Sequence, residues 1–427
     1  MNRVKLGELL RIKHGYAFKS ENYVTSSPYA LVTLANISSS NSFRFDQEKT
    51  TFYGASFPEE FILHTDDLIM PLTEQVIGLF GNSAFIPSMK GIRFVLNQRV
   101  GKVIPNEGKA DKYYLHYLLS TEIVREQLEH RASGTKQRNI SPDDVYDVTV
   151  VVPELNVQQK IGKALYCLEA KVNVNNAIND NLQQQIRLLY DYWFTQFDFP
   201  DENGKPYRSS GGAMVWNSTL KAEIPLGWTG GVLSDCIAKV STGLNPRDNF
   251  MLGNGSIRYI TVKNLTMSGV LDFSGCDTID ETAQALIHRR SDISKGDILF
   301  ASIAPLGRCY LIEQNPTDWE INESVFSLRP NIERTTAEFL YSYFTSPAFI
   351  KGATSSSTGS VFKGIRINTL LDTEVLIPPY RIVSAFSTKV RGLFSMLDKN
   401  AAEISTLSDI RDWLLPMLMN GQATIRD

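Results

Sequence analysis

Cysteine and histidine are scarce in this 427-residue chain, and each shortage closes off a class of chemistry. The four cysteines, Cys167, Cys236, Cys276 and Cys309, are scattered, with no Cys-x-x-Cys pair and no histidine at ligand spacing. That argues against both a zinc site and a disulfide framework. Five histidines give no plausible nucleophile–base pairing for a hydrolase or transferase. An excess of charge is missing too: the net charge of −3 and pI near 6 carry no global nucleic-acid signature. Any DNA contact must therefore come from local basic loops on a neutral body. No run approaches transmembrane length and no signal peptide opens the chain at Met1-Asn2-Arg3-Val4, so a cytoplasmic protein without a membrane partner is expected.

What is present is a globular composition, 43% hydrophobic and 21% charged, in a chain too long for one ordinary core. Its organising stretch runs from Ile161 to Trp193. Ile161, Leu165, Leu168, Val172, Asn175, Asn179, Leu182, Ile186, Leu189 and Trp193 climb in alternating steps of four and three, the heptad seam of a coiled-coil helix. The ladder returns at Phe386, Val390, Leu393, Leu397, Asn400, Ile404, Leu407, Arg411, Leu414 and Leu418, offset by 225.

The same offset relates Tyr114 to Phe339, Gly134 to Gly359, Ile140 to Ile365, Asp147 to Asp372 and Pro153 to Pro378. Asp67-Leu68-Ile69-Met70 is answered by Asp297-Ile298-Leu299-Phe300, with Gly78 and Gly307 following at nearly equal distance. A fixed offset through loops, strands and helix argues for duplication, and the spacing is too long for a solenoid. The expected division is a first lobe over 1–153, a long helix over 154–197, a turn-rich connector over 198–223, a second lobe over 224–378 and a second long helix over 379–421. In the first lobe, short β-rich runs at Tyr29–Thr33, Asp67–Met70 and Val145–Val152 accompany one helix near Lys112–Arg131, predicting an α+β fold.

A pseudo-two-fold internal repeat would make the two helices an antiparallel coiled coil with the lobes at opposite ends of a rod. At about 1.5 Å per residue, helices of about 36 to 44 residues would span about 55 to 65 Å. Asn175 and Asn400, polar rungs at equivalent places, are expected close together where the helices cross, fixing register. The aromatic cluster Tyr190, Tyr192, Trp193, Phe194 and Phe197 exceeds what a two-stranded seam covers, so packing on a lobe or the connector is expected, with partner docking as the alternative.

These residues resemble the specificity subunits of type I restriction-modification systems. The resemblance is carried by the twofold alternation of lobe and long helix and by the helix entry Val152-Pro153-Glu154-Leu155-Asn156-Val157-Gln158-Gln159-Lys160-Ile161. The junction Leu189-Tyr190-Asp191-Tyr192-Trp193-Phe194-Thr195-Gln196-Phe197-Asp198-Phe199-Pro200, continued by Gly204-Lys205-Pro206-Tyr207 and Ile224-Pro225-Leu226-Gly227-Trp228, carries it further. The second entry departs from this pattern, reading Arg381-Ile382-Val383-Ser384, and Arg411 replaces the apolar rung Ile186. The resemblance implies two target-recognition domains, each reading one half of a split asymmetric sequence in double-stranded DNA. It implies helices serving as ruler and as platform for two DNA adenine methyltransferase subunits, to which restriction subunits can be added. It also implies that the chain has no catalytic centre and no cofactor.

Motifs with catalytic overtones fail on their own residues. Ile377-Pro378-Pro379-Tyr380 looks like the Asn/Asp-Pro-Pro-Tyr tetrapeptide of amino-methyltransferases, but isoleucine accepts no hydrogen bond. Gly253–Arg258 lacks the third glycine of a dinucleotide loop, and the stretch from Gly352 to Gly359 lacks a P-loop lysine; both are read as loops. Asp143-Asp144 after Ser141-Pro142 read as helix-start residues.

The strongest DNA signal is the loop 131–140, with Arg131, Thr135, Lys136, Gln137, Arg138 and Asn139 around Gly134. It joins cations for phosphates to side chains that pair with base edges. Its counterpart, 355–366, offers Ser357, Thr358, Ser360, Lys363 and Arg366. Secondary candidates are Lys19, Asn36, Thr73, Glu74 and Gln75 in the first lobe, and Arg247, Asn249, Lys263, Asn264, Ser302 and Arg308 in the second. The rival reading is a coiled-coil scaffold whose lobes bind proteins and never touch DNA.

Overall fold

The computed structural model describes residues 2–38, 41–75, 77–134, 137–356 and 364–425, the side chain of Ser356 excepted. The chain forms two compact units, residues 1–171 with 407–427, and residues 172–406. Each unit is an α+β lobe joined to parts of both long helices, Leu155–Tyr190 and Tyr380–Met419. No described helix is long and apolar enough to cross a membrane.

In the first unit, an antiparallel sheet orders strands Leu10–His14, Val100–Pro105, Leu68–Pro71 and Ala84–Phe85. A second sheet contains the parallel pair Tyr29–Val32 and Arg93–Leu96, and Asn2–Lys5 pairs with Thr149–Val152. The second unit repeats this order. Ile237–Thr242, Val325–Pro330, Ile298–Ala301 and Cys309–Leu311 form the four-stranded sheet. Ile257–Ile260 and Trp319–Ile321 form the parallel pair, and Thr229–Val232 pairs with Glu374–Ile377. Even the turn into the central strand is shared. Asp67 accepts from the His64 amide and from Lys102 on the neighbouring strand, while Asp297 accepts from the Ser294 amide and from Arg329.

The helix seams are buried where the four-three ladder places them. In the first unit Ile161 and Leu165 share a core with Leu418, and Leu414 and Leu415 pack against it. In the second, Leu182, Ile186 and Tyr190 share one with Phe386, Val390, Phe394 and Leu397. The polar rungs are also matched within the second unit: Asn175 Nδ2 donates to Glu403 at 2.8 Å and Asn400 Nδ2 to Asn179 at 3.1 Å. Each of the two asparagines therefore bonds to a residue near the other on the facing helix. Arg411 also has a reason to break the apolar pattern. Burial pushes the Glu169 carboxyl up, but the adjacent His116, a hydrogen bond from Tyr117 and the charge of Arg411 outweigh it and hold it below the ordinary range.

The helix entries differ as their sequences do. Gln158 is buried and links helix to lobe, donating to the carbonyls of Pro153 (2.9 Å) and Lys109 (3.3 Å), whereas Val383 at the matching place packs into the apolar core. Gly162 lets the first helix approach the lobe, because a Cβ there would stand 2.5 Å from the Tyr114 amide. Its counterpart Ser387 donates to Thr336 at 2.7 Å. Tyr190, Trp193 and Phe194 are buried against Phe339, Phe386 and Trp228, and Phe197 lies on Trp228, while Tyr192 stays exposed.

Three local expectations are corrected. The helix over Lys112–Arg131 is two, Lys112–Leu119 and Glu122–Arg131. The Ser120 and Thr121 hydroxyls donate back to the Tyr117 and Leu118 carbonyls, ending the first helix. The strand expected from Val145 begins only at Thr149, because Ser141 and Asp144 cap each other's amides and start the helix Pro142–Tyr146. Gly352 lies inside the helix Pro347–Ser356 and not in a loop.

Gly162→Ala is expected to lower stability by about 1–3 kcal/mol, as overpacking does. Gly392→Ala, with open space at its Cβ inside a helix, is expected to raise it by about 0.4–1 kcal/mol. Urea unfolding of the full chain reads both signs.

Candidate nucleic-acid interface

At one end of each four-stranded sheet, three separate segments are joined by main-chain hydrogen bonds. In the first lobe the Leu72 amide donates to the Arg99 carbonyl (2.9 Å), and the Ile140 amide donates to the Leu72 carbonyl (3.0 Å). In the second lobe the Ser302 amide donates to the Ser324 carbonyl (3.1 Å), and the Ile365 amide donates to the Ser302 carbonyl (2.8 Å). The turn feeding the ladder is shared as well: Asn97 Oδ1 accepts from the Arg99 amide (3.3 Å), and Asn322 Oδ1 from the Ser324 amide (3.1 Å). Because main-chain atoms make these bonds, the side chains projecting from the three segments can differ between lobes without disturbing the platform.

They do differ. In the first lobe Gln75, Gln98, Arg99 and Asn139 are exposed around the ladder. In the second the exposed residues are Ala304, Pro305, Glu323 and Arg366, with Arg308 half-buried beneath them. Arg308 donates towards the Pro305 and Ile303 carbonyls, and burial lowers its guanidinium pKa. The loop before Ile140 is closed by reciprocal Ser133–Asn139 main-chain bonds of 3.0 and 2.9 Å. Gly134, at φ 109°, is required there, since a Cβ would lie 2.2 Å from the Gln137 carbonyl oxygen.

Several expected contact residues have other work. Arg138 is ion-paired with Glu74, which is buried and also accepts from the Leu79 and Phe80 amides, so this arginine's charge is neutralised within the lobe. Thr73 is buried and donates to Asn139. Asn36 and Asn264 are buried loop clamps: each accepts from the amide three residues back, at Thr33 and Thr261, and donates to a carbonyl eight residues on, at Arg44 and Asp272. Their amides position loops and are not offered outward. Ser302 is likewise buried, donating to the Ser324 carbonyl. Arg131 is engaged by the carbonyls of Gln127 and Asp147.

Gln137 is half-buried and bonds to Asn139, whereas Lys19, Arg247, Asn249 and Lys263 are exposed. Lys19 lies 3.9 Å from Glu21 and Asn249 donates to the Asn245 carbonyl. Thr135, Lys136, Ser357, Thr358, Ser360 and Lys363 lie outside the described residues. Gln98 and Arg99 were missed by reading the sequence. The available signal was Asn97 matching Asn322 at the offset of 225, followed by Gln-Arg in one copy and Glu-Ser in the other.

One cluster imitates a catalytic triad. Ser83 Oγ lies 2.8 Å from His116 Nδ1, and His116 Nε2 lies 3.4 Å from Glu169, but Ser83 and His116 are fully buried and no substrate can reach the hydroxyl. Among the described residues no group of His, Cys, Asp or Glu side chains could hold a metal ion.

The family model of the type I restriction modification DNA specificity domain matches residues 1–184 and 231–391. The chain therefore belongs to the type I restriction-modification specificity-subunit family, non-catalytic components that recognise DNA within restriction-modification complexes. It is similar to the type I restriction enzyme MjaIX specificity subunit of Methanocaldococcus jannaschii, with 24% identity over 332 residues covering 78% of this chain and 73% of that one. The EcoBI specificity subunit of Escherichia coli is 21% identical over 433 residues, covering 99% and 86%. In fold it resembles the crystal structure of the type I restriction-modification S subunit from M. genitalium, with TM-score 0.58, 16% identity and 98% and 95% coverage.

Arg138→Met, which strands the buried Glu74 carboxylate, is expected to destabilise the first lobe by about 3–5 kcal/mol. Gln75→Ala on the exposed rim is expected to change stability by less than about 0.5 kcal/mol. Thermal unfolding of the full chain separates the two.

Proposed function

We propose that each lobe reads one half of a bipartite, asymmetric DNA sequence through the end of its four-stranded sheet where the three segments meet. The supporting observation is one main-chain platform built twice and dressed with different exposed side chains. Gln75, Gln98 and Arg99 offer the amide and guanidinium groups that pair with purine edges, Asn139 adds its Nδ2 as a donor while its Oδ1 is held by Thr73 and Gln137, and Arg366 serves in the second lobe. Two different surfaces on one scaffold predict two different half-sites, hence an asymmetric target. The boundaries of the two recognition domains in this reading are 1–153 and 224–378.

In the same reading the two long helices form an antiparallel coiled coil under a pseudo-two-fold repeat, and so set the distance between half-sites. Within the second unit, partner numbers fall on one helix as they rise on the other, Asn175 with Glu403 and Asn179 with Asn400. Within the first, Ile161 and Leu165 share their core with Leu418. Such a spacer suits half-sites one to two helical turns apart, about 34–70 Å. The helices would also dock two DNA adenine methyltransferase subunits, with restriction subunits joining the full complex. Because the chain is near neutral, those partners supply much of the charge that meets the phosphates.

Selection of duplexes from a randomised pool by the full chain with its methyltransferase partners tests this. The expected motif is two unequal half-sites around unread base pairs. Arg99→Ala is expected to relax the first half-site alone, at about 1–3 kcal/mol for one bidentate pair removed, and Arg366→Ala the second alone. Deleting seven residues from each helix is expected to shorten the unread gap by about 10 Å and leave both half-sites unchanged. No enriched motif would favour the protein-binding scaffold instead.

A further inference from the structure

Among the described residues, the second lobe carries one helix that the first lacks. Between strands Asp277–Ile279 and Ile298–Ala301 it inserts Glu281–Ser291, whereas the corresponding interval of the first lobe, from Phe52–Tyr53 to Leu68–Pro71, holds the short turn Glu59–Phe61. Asp280 caps the helix start, Ala283 and Ile287 bury its inner face, and the last turn leaves His288, Arg289 and Arg290 exposed. Cations at a helix C-terminus are favoured by the helix dipole, which is reason enough for one of them.

Their position asks for more. Arg290 Nη2 donates to Thr242 Oγ1 at 3.2 Å, and Thr242 is the last residue of the outer strand of the four-stranded sheet. The next amide, of Gly243, donates to the Asn322 carbonyl at 3.2 Å, and the Asn322 amide donates to the Ile260 carbonyl at 2.8 Å. The helix end is thus hydrogen-bonded to the same end of the sheet as the ladder of Ser324, Ser302 and Ile365. Arg247 follows on the loop after Thr242, and Lys263 on the loop after Ile260.

Thr242 and Ala301 lie two strands apart in the sheet, a lateral distance of about 10 Å. Among the described residues, no carboxylate forms an ion pair with Arg247, Lys263, Arg289 or Arg290, while Asp292 is taken by Lys239 and Arg329. Exposed carboxylates on these segments are Asp248, Asp272, Asp277 and Glu323, with Glu281 at the opposite end of the helix. His288 is held by the buried Glu320 at 2.6 Å. In the first lobe the sign is reversed: the turn that stands in place of the helix begins with Glu59 and Glu60, and Glu60 neutralises Lys13.

We propose that the last turn of this helix, through Arg289 and Arg290, with Arg247 on the loop that follows Thr242, grips backbone phosphates flanking the second half-site, an anchorage the first lobe does not make. The inference rests on the DNA-recognition reading above. Guanidinium groups bind phosphate oxygens without reading sequence. The major groove is about 12 Å wide, so a base edge reached from the ladder and a phosphate on the groove rim fit the spacing.

The test compares the full chain, assembled with its methyltransferase partners, with its Arg289→Gln/Arg290→Gln variant in the same assembly. Each selects duplexes from a randomised pool, and each is titrated by fluorescence anisotropy on the duplex selected by the unaltered chain, from about 50 to 200 mM salt. The proposal predicts an unchanged selected motif, weaker binding to every duplex, and a log K against log salt slope shallower by about 1–2, at about 0.9 for each phosphate no longer neutralised. Arg289→Lys/Arg290→Lys is expected to keep the original slope. An unchanged slope in the glutamine variant, or a motif altered in one half-site, overturns the phosphate grip. Failure of the unaltered chain to enrich any motif would overturn the DNA-recognition reading itself, an outcome distinct from either.

Discussion

The structure depends on a main-chain constraint: one residue after the central strand of each lobe bonds forward to one loop and back to another. Leu72 does this between Arg99 and Ile140, and Ser302 between Ser324 and Ile365. Because amides and carbonyls make these bonds, exposed side chains such as Gln75, Gln98 and Arg99 in one lobe and Glu323 and Arg366 in the other can differ while the ladder persists. The residues that shape the turns and loops are alike in both lobes: Asn97 and Asn322 at the ladder, Asp67 and Asp297 at the turn into the central strand, Asn36 and Asn264 in the loops they clamp. The residues that face outward are not.

The helices show a second division of labour. Apolar rungs supply the burial that drives helix association, and the polar ones restrict how it occurs. Asn175 donates to Glu403 and Asn400 donates to Asn179 Oδ1 in a single register, and a slip would break both bonds; the buried Asn179 Nδ2 has no partner among the described residues. Arg411 and Glu169 do related work in the other unit, where a charge among apolar rungs answers a buried carboxylate.

Much of this architecture was legible in the sequence. The offset of 225 and the four-three ladders gave the two-lobed plan and the buried helix faces, because both are periodic signals that survive substitution. Side-chain commitments were not legible. Asn36 and Asn264 have the chemistry of base readers, yet each follows a threonine by three residues and is spent clamping a turn. Arg138 looked free because its partner Glu74 is 64 positions away. The break at Ser120 and Thr121 came from hydroxyls competing for helix carbonyls, and the helix Glu281–Ser291 carries too little apolar periodicity to stand out. Gln98 and Arg99 escaped notice because they sit outside the charge-rich loops, at the place where the two copies diverge beside a shared asparagine.

The face on which DNA meets the lobes is the decisive observable. A cryo-electron microscopy structure of the full chain on a selected duplex would show it. Arg99, Gln75 and Asn139 are expected within hydrogen-bond reach of base edges in one half-site, and Arg366 in the other. Duplex lying against any other face of the lobes, with those side chains in solvent, would contradict this.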